Sequence, residues 1–114
     1  MRKALTLSLV LLGLTAPAAA QSPELQAAKK VHVNRFWDEC TAKHNGATTI
    51  CADLIRALEA RERKTLKRIS AAATDSNKPR VSEGVVGCYN PTHNYKDLVQ
   101  CWELLANELE QNGE

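Results

Sequence analysis

The stretch TICADLIRALEARERKTLKRISAAA, residues 49–73, is the longest run with helical character in the chain and contains no Gly or Pro. Apolar side chains recur along it at steps of three and four residues, which predicts a helix with one buried face. The residues predicted for that face are Cys51, Leu54, Ile55, Leu58, Leu66 and Ile69. Glu62 and Thr65 interrupt the apolar face, so we expect thinner packing near the middle of the helix.

A second helix is predicted upstream, from about Pro23 to Asn45. Asn45 and Gly46 end it, because glycine adopts the left-handed conformation at little cost. Only a few residues separate Gly46 from the next helix cap, Thr48 or Thr49, so the two helices are expected to form an antiparallel hairpin. The predicted buried stripe of the upstream helix comprises Leu25, Ala28, Val33, Phe36, Trp37 and Cys40.

A third helix is predicted to follow Asn94, which is placed to cap it, with Asp97 at its third position. Its apolar face comprises Tyr95, Leu98, Trp102, Leu105 and Leu109, and it ends before Gly113. Residues 80–88 contain two glycines and fit either a short helical turn or an extended segment. Strand signals are almost absent, so we expect an all-α, small three-helix domain.

The chain begins with the pattern of a secretory signal peptide. Arg2 and Lys3 precede an apolar run over residues 4–14, and Ala18 to Ala20 supply the small residues that signal peptidase recognises. The apolar run is shorter than the roughly 20 residues that a helix needs to cross a bilayer. We therefore expect residues 1–20 to be cleaved, and residues 21–114 to form a single domain that is periplasmic or secreted and not membrane-spanning.

All four cysteines of the chain lie within the predicted exported domain, which predicts two disulfides in an oxidising compartment. One pairing is local: Cys40 with Cys51, at the shared end of the helical hairpin, and Cys88 with Cys101. The alternative pairs Cys40 with Cys101 and Cys51 with Cys88, and closes longer loops. The sequence leaves both pairings open.

The charge of the exported domain is balanced in total but not in distribution. Without Arg2 and Lys3, 13 Lys and Arg match 13 Asp and Glu. A nucleic-acid-binding domain is usually strongly basic, so this balance argues against nucleic acid as a partner. Residues 56–80 carry a net charge of +5 and residues 81–114 one of −5. We expect the oppositely charged helices to pack side by side.

No pattern in the sequence predicts catalysis or a cofactor. Cys40 and His44 have the helical spacing of metal ligands, with Cys51 nearby, but these cysteines are expected to be oxidised. An oxidised sulfur is also unable to act as a nucleophile. His32, His44 and His93 share no common spacing. We therefore predict a protein that is not an enzyme and holds no metal.

Two surfaces are candidates for binding a partner. Tyr89, His93 and Tyr95 lie on or beside the loop after Cys88, and a rigid loop that carries aromatic side chains can supply binding anchors. The second surface is the basic face of the central helix, which would attract acidic proteins or anionic envelope polymers. It comprises Arg56, Arg63, Lys64 and Lys67.

Part of the chain resembles the LprI-type lysozyme-inhibitor domain family. The residues that carry the resemblance are Cys51-Ala52-Asp53, Leu58-Glu59-Ala60 and Leu66, and, for the closing segment of the family, Cys101 with Leu104, Leu105 and Leu109. The family's signature of Trp, Arg-Asp and Cys between these segments is not present, and residues 36–40 echo it upstream. The resemblance implies a small exported helical protein that blocks a cell-wall muramidase without catalysis of its own.

These features favour an exported, non-catalytic protein-binding domain, an inhibitor or immunity-type protein against a lysozyme-like or other peptidoglycan hydrolase. The alternative is an envelope-associated structural or stress protein. Such a protein would bind anionic wall polymer or lipid through the basic face of the central helix.

Overall fold

The computed structural model describes residues 23–112, and the predicted signal peptide lies outside them. These residues form four helices without a strand: α1 (Pro23–Lys43), α2 (Thr48–Ala72), α3 (Lys78–Gly87) and α4 (Tyr95–Asn112). The all-α prediction is confirmed, and α3 adds a fourth, short helix in the segment whose conformation the sequence left open. None of the four helices combines the length and apolar content that crossing a bilayer requires.

The hairpin of α1 and α2 turns where the sequence predicts it. Asn45 and Gly46 both have positive φ, 56° and 80°, so the chain leaves α1 through two left-handed residues. The prediction of a threonine cap for α2 is wrong. Ala47 occupies the capping position and its side chain makes no capping bond, and Thr48 is already helical.

Asn94 caps α4, as predicted, and a reciprocal pair of side-chain bonds with Asp97 fixes the start of the helix. The Asn94 Oδ1 atom accepts a hydrogen bond from the Asp97 backbone N–H at 3.0 Å. The Asp97 Oδ2 atom accepts one from the Asn94 backbone N–H at 3.3 Å. Two backbone donors that have no partner within the helix are thereby satisfied.

The core is centred on α4, and α2 and α3 pack against it. Tyr95, Leu98, Val99 and Trp102 have no exposed surface. A Cβ atom added at Gly84 would lie 2.8 Å from the Cδ1 atom of Leu105, so glycine at this position allows α3 to approach α4 closely. The other buried residues of this core are Leu58, Leu66, Ile69, Val81, Val85, Cys88, Ala106 and Leu109.

The buried face of α2 differs from the prediction at three positions. Leu54, predicted to be in the core, is 42% exposed, whereas Glu62 and Thr65 are 8% and 2% exposed. The expectation of thinner packing around these two polar residues is therefore wrong. Both are enclosed, and no buried side-chain nitrogen or oxygen in residues 23–112 lacks a hydrogen-bond partner.

Helix α1 contributes less apolar surface to the core than its predicted stripe suggested. Its two buried residues are His32 and Cys40. Val33 and Phe36 are only partly buried at the edge of the core, and Trp37 is also partly exposed. Helix α1 thus covers one side of the core with side chains that are only partly buried.

Both disulfides follow the local pairing. Cys40 is bonded to Cys51 across the hairpin, with their Cα atoms 5.9 Å apart. Cys88 is bonded to Cys101, which ties the end of α3 to α4 with a Cα separation of 5.7 Å. No cysteine is free. Two disulfides fit an oxidising, exported environment.

Ion pairs join the basic helix α2 to the acidic helix α4, as the charge distribution predicts. The Arg61 guanidinium donates to both carboxylate oxygens of Glu103, at 2.9 and 2.6 Å. Arg68 binds Glu110 in the same two-pronged way, at 2.9 and 2.6 Å. The hydrogen bond from Arg61 lowers the pKa of the Glu103 carboxyl below its usual value.

Candidate functional site

Tyr95, a predicted binding anchor, lies in the interior of the domain. Its side chain has no exposed surface, and its hydroxyl donates a hydrogen bond to the Glu62 carboxylate. The Lys29 ammonium approaches the other oxygen of that carboxylate at 3.0 Å. Burial, followed by the bond to Glu62, raises the pKa of Tyr95 far above its ordinary value. The Tyr95 side chain therefore has no surface to offer a partner in this fold.

Tyr89 is half-buried between two other rings. Its ring centroid lies 5.8 Å from that of His32 and 5.6 Å from that of Trp102. Burial, together with the negative charge of Glu62, raises the pKa of Tyr89 to about 12. Most of this side chain contributes to packing between α1 and α4.

His93 is exposed, but its backbone is attached to α1. The His32 Nδ1 atom donates to the His93 carbonyl oxygen at 2.7 Å. Arg35 donates to the carbonyl oxygen of Pro91 at 2.8 Å. The loop between α3 and α4 is therefore held in place. Of the three predicted anchors on or beside this loop, His93 is exposed, Tyr89 is half-buried and Tyr95 is fully buried.

The basic face of α2 is exposed as predicted. Arg56, Arg63, Lys64 and Lys67 are exposed, and they lie on one side of the helix because their spacings follow its turns. Arg56 is paired with Asp53 one turn earlier. The other three form no ion pair within residues 23–112. We call these four residues the outer basic face.

A groove at the junction of α1, α2 and the start of α4 was not predicted from the sequence. It has a volume of 420 Å³, within the range of about 300–1,000 Å³ that is usual for binding pockets. Its lining residues are Phe36, Glu39, Cys40, Lys43, His44, Leu54, Ala57, Leu58, Arg61, Asn94 and Lys96.

The groove was not predicted because the three- and four-residue spacing of apolar side chains assigns Leu54 to the buried face of α2. Every third or fourth residue of α2 is apolar in this region, so nothing in the sequence separates Leu54 from the buried Leu58. Leu54 stays exposed and becomes part of the groove wall.

A smaller depression of 330 Å³ lies beside the Cys88–Cys101 disulfide and includes His93 and Asp97. Across residues 23–112, no three His, Cys, Asp or Glu side chains are grouped so that they could hold a metal ion. Cys40 is bonded to Cys51, so its spacing from His44 does not create a ligand pair.

No known protein family, curated protein or solved structure matches this chain. The resemblance to the LprI-type lysozyme-inhibitor domains therefore rests on the quoted residues alone and stays a prediction.

Proposed function

We propose that this protein is an exported, non-catalytic binding domain, periplasmic or secreted, whose partner is a protein of the lysozyme-like or other peptidoglycan hydrolase class. The observation that carries the proposal is the outer basic face. Arg63, Lys64 and Lys67 form no ion pair within residues 23–112, whereas Arg61 and Arg68 of the same helix are engaged by α4 and Arg56 is paired with Asp53. Ion pairs within the domain thus occupy three of the six cationic side chains of α2 and leave three available to a partner.

A peptidoglycan hydrolase of the glycosidase class is a chemically suitable partner. Glycosidases typically act through two carboxyl groups on either side of the bond they cleave. A helix that presents several cations is complementary to such a site, and complementary charge also accelerates the encounter of two proteins. The family resemblance implies a hydrolase as the partner, and the positive charge of α2 is consistent with that partner class.

The rigidity of the domain also supports a binding role. One disulfide joins α1 to α2 beside the hairpin turn and the other joins α3 to α4. Two-pronged ion pairs hold α2 against α4. A surface that is already ordered loses little conformational entropy on binding, which favours affinity.

The test is a titration of several lysozyme types with the oxidised protein, purified after export. We compare the charge reversal R63E/K67E with the matched reversal K30E/K78E, which changes the net charge equally on exposed residues of α1 and α3. We expect stoichiometric inhibition by the wild type and the control, and its loss in R63E/K67E. If neither reversal affects inhibition, the outer basic face is not the contact. If no lysozyme or other peptidoglycan hydrolase is inhibited, the proposed partner class is wrong.

The second candidate function is an envelope-associated structural or stress protein that binds anionic wall polymer or lipid. The same three unpaired cations favour it, because a row of cations also binds a polyanion. Such binding weakens steeply as salt screens the charges. We would measure retention on wall polymer and on anionic vesicles across a salt series. Retention that does not depend on salt, or no retention, would remove this candidate.

A further inference from the structure

We propose that the groove between α1, α2 and α4 is the anchor pocket for a short acidic segment of the partner protein, in which an apolar side chain is flanked by carboxylates. The inference rests on the proposed binding function and specifies the chemistry of the partner segment. Three features of the groove support it: its apolar wall, its positive rim and its position beside the outer basic face.

The wall of the groove offers apolar surface to an incoming side chain. Phe36 is partly exposed, and Leu54, at 42% exposed, is one of the few large apolar residues of residues 23–112 that reach solvent. Ala57 and the buried Leu58 continue this surface along α2. Covering an exposed leucine and phenylalanine removes apolar area from water, and each side chain can contribute on the order of 1 kcal/mol or more.

The rim of the groove is positively charged. Lys43 comes from the last turn of α1 and Lys96 from the first turn of α4. Neither lysine forms an ion pair within residues 23–112. Glu39 is the one carboxylate among the lining residues, and its Oε1 atom already accepts a hydrogen bond from Asn94 at 2.7 Å. The rim therefore favours carboxylates in the ligand and disfavours cations.

The position of the groove connects it to the outer basic face. Ala57, Arg61 and Lys64 follow one another at steps of four and three along α2, so Lys64 lies beside the edge of the groove on the same side of the helix. One partner surface can therefore cover both. Two unpaired lysines from different helices also fit two carboxylates on either side of an apolar residue better than the single head group of a fatty acid.

The test is an NMR titration of the oxidised, exported protein with the peptide acetyl-Glu-Phe-Glu-amide. The control peptides are acetyl-Lys-Phe-Lys-amide, which reverses the charge, and acetyl-Glu-Gly-Glu-amide, which lacks the apolar side chain. We expect the first peptide to shift amide signals of the groove residues, and each control to bind at least about tenfold more weakly. Shifts confined to other surfaces, equal binding of a control peptide, or no shift at millimolar peptide would overturn the proposal.

Leu54→Asp places a carboxylate in the groove wall, and Ile50→Asp is its matched control. Ile50 lies one turn earlier on α2, is 46% exposed and does not line the groove. We expect Leu54→Asp to weaken peptide binding at least about tenfold and Ile50→Asp to leave it within about twofold. If Leu54→Asp disturbs the fold, K43E/K96E replaces it, with K30E/K78E as control. Equal effects in test and control variants would contradict the assignment of the groove.

The peptide titration contains no hydrolase, so its result is independent of the inhibition test. Peptide binding in the groove without inhibition of any hydrolase would retain the pocket and remove the proposed partner class. Inhibition without peptide binding would retain the function and place the contact on the outer basic face alone, which overturns the pocket.

Discussion

The buried hydrogen bond from Tyr95 to Glu62 makes a prediction whose size follows from the structure. Tyr95→Phe keeps the fully buried ring and removes only the hydroxyl that donates to the Glu62 carboxylate. A hydrogen bond to a charged group contributes about 1.5–3 kcal/mol. Because Lys29 still neutralises the carboxylate from the other side, at 3.0 Å, we expect a loss of about 2 kcal/mol. For a domain of this size the melting temperature would fall by roughly 8–16 °C.

A double-mutant cycle with Glu62→Gln separates this bond from any loss of packing. The glutamine keeps an oxygen that can accept from the Tyr95 hydroxyl but carries no charge. A bond between neutral groups contributes about 1 kcal/mol, so Tyr95→Phe should destabilise the Glu62→Gln protein by about half as much as it destabilises the wild type. The coupling energy would then be about 1 kcal/mol.

The assay is urea unfolding followed by circular dichroism, with both disulfides intact. The difference in unfolding free energy is compared between the four proteins of the cycle at one pH near neutrality. A loss below about 0.5 kcal/mol for Tyr95→Phe, or a coupling energy near zero, would refute the assignment of a charged, hydrogen-bonded carboxylate in the core.

Three further predictions concern the frame of the domain. Replacing both cysteines of either disulfide by alanine should lower the unfolding free energy by about 3 kcal/mol, measured by urea unfolding. The two losses should be similar, because Cys40–Cys51 and Cys88–Cys101 close loops of similar length, with separations of 11 and 13 residues. Asn94→Ala should destabilise by about 1 kcal/mol and Asn94→Ser by much less, since serine can still cap α4. The pKa of Tyr89 is raised from 10.0 to about 12 in the folded protein. Its contribution to the unfolding free energy is therefore complete below pH 10 and is lost as the pH rises towards 12, because the unfolded chain ionises first. Tyr89→Phe should therefore flatten the decline of unfolding free energy in that pH window, and an unchanged decline would contradict the raised pKa of Tyr89.

Much of the fold follows from local signals in the sequence. Asn45-Gly46 ends α1 within two residues of the predicted position, and Asn94 caps α4 as predicted. The opposite charges of residues 56–80 and 81–114 correctly predict that α2 lies against α4. Each of these signals lies within a few residues or within one helix, so it can be recognised in the sequence without knowing how the helices pack.

The conformation of residues 80–88 and the pairing of the cysteines could not be decided in the same way. Two glycines lower the intrinsic helix preference of that segment, and α3 forms because Val81 and Val85 are buried against α4. The predicted hairpin favours the local pairing because it brings Cys40 and Cys51 together, but the sequence also allows the longer pairing. Both outcomes depend on tertiary contacts.

The errors at Glu62 and Tyr95 have one common cause, and it changes where a partner can bind. Glu62 looked like a break in an apolar face, and Tyr95 was placed both on the apolar face of the third predicted helix and among the binding anchors beside the loop. They are partners across 33 residues of sequence, and the Tyr95 hydroxyl together with Lys29 offsets the cost of burying the Glu62 carboxylate. Once Tyr95 belongs to the core, an apolar residue that can meet a partner is Leu54, which was predicted to be buried but is exposed and lines the groove. The candidate contact therefore moves from the loop after Cys88 to the groove beside the outer basic face.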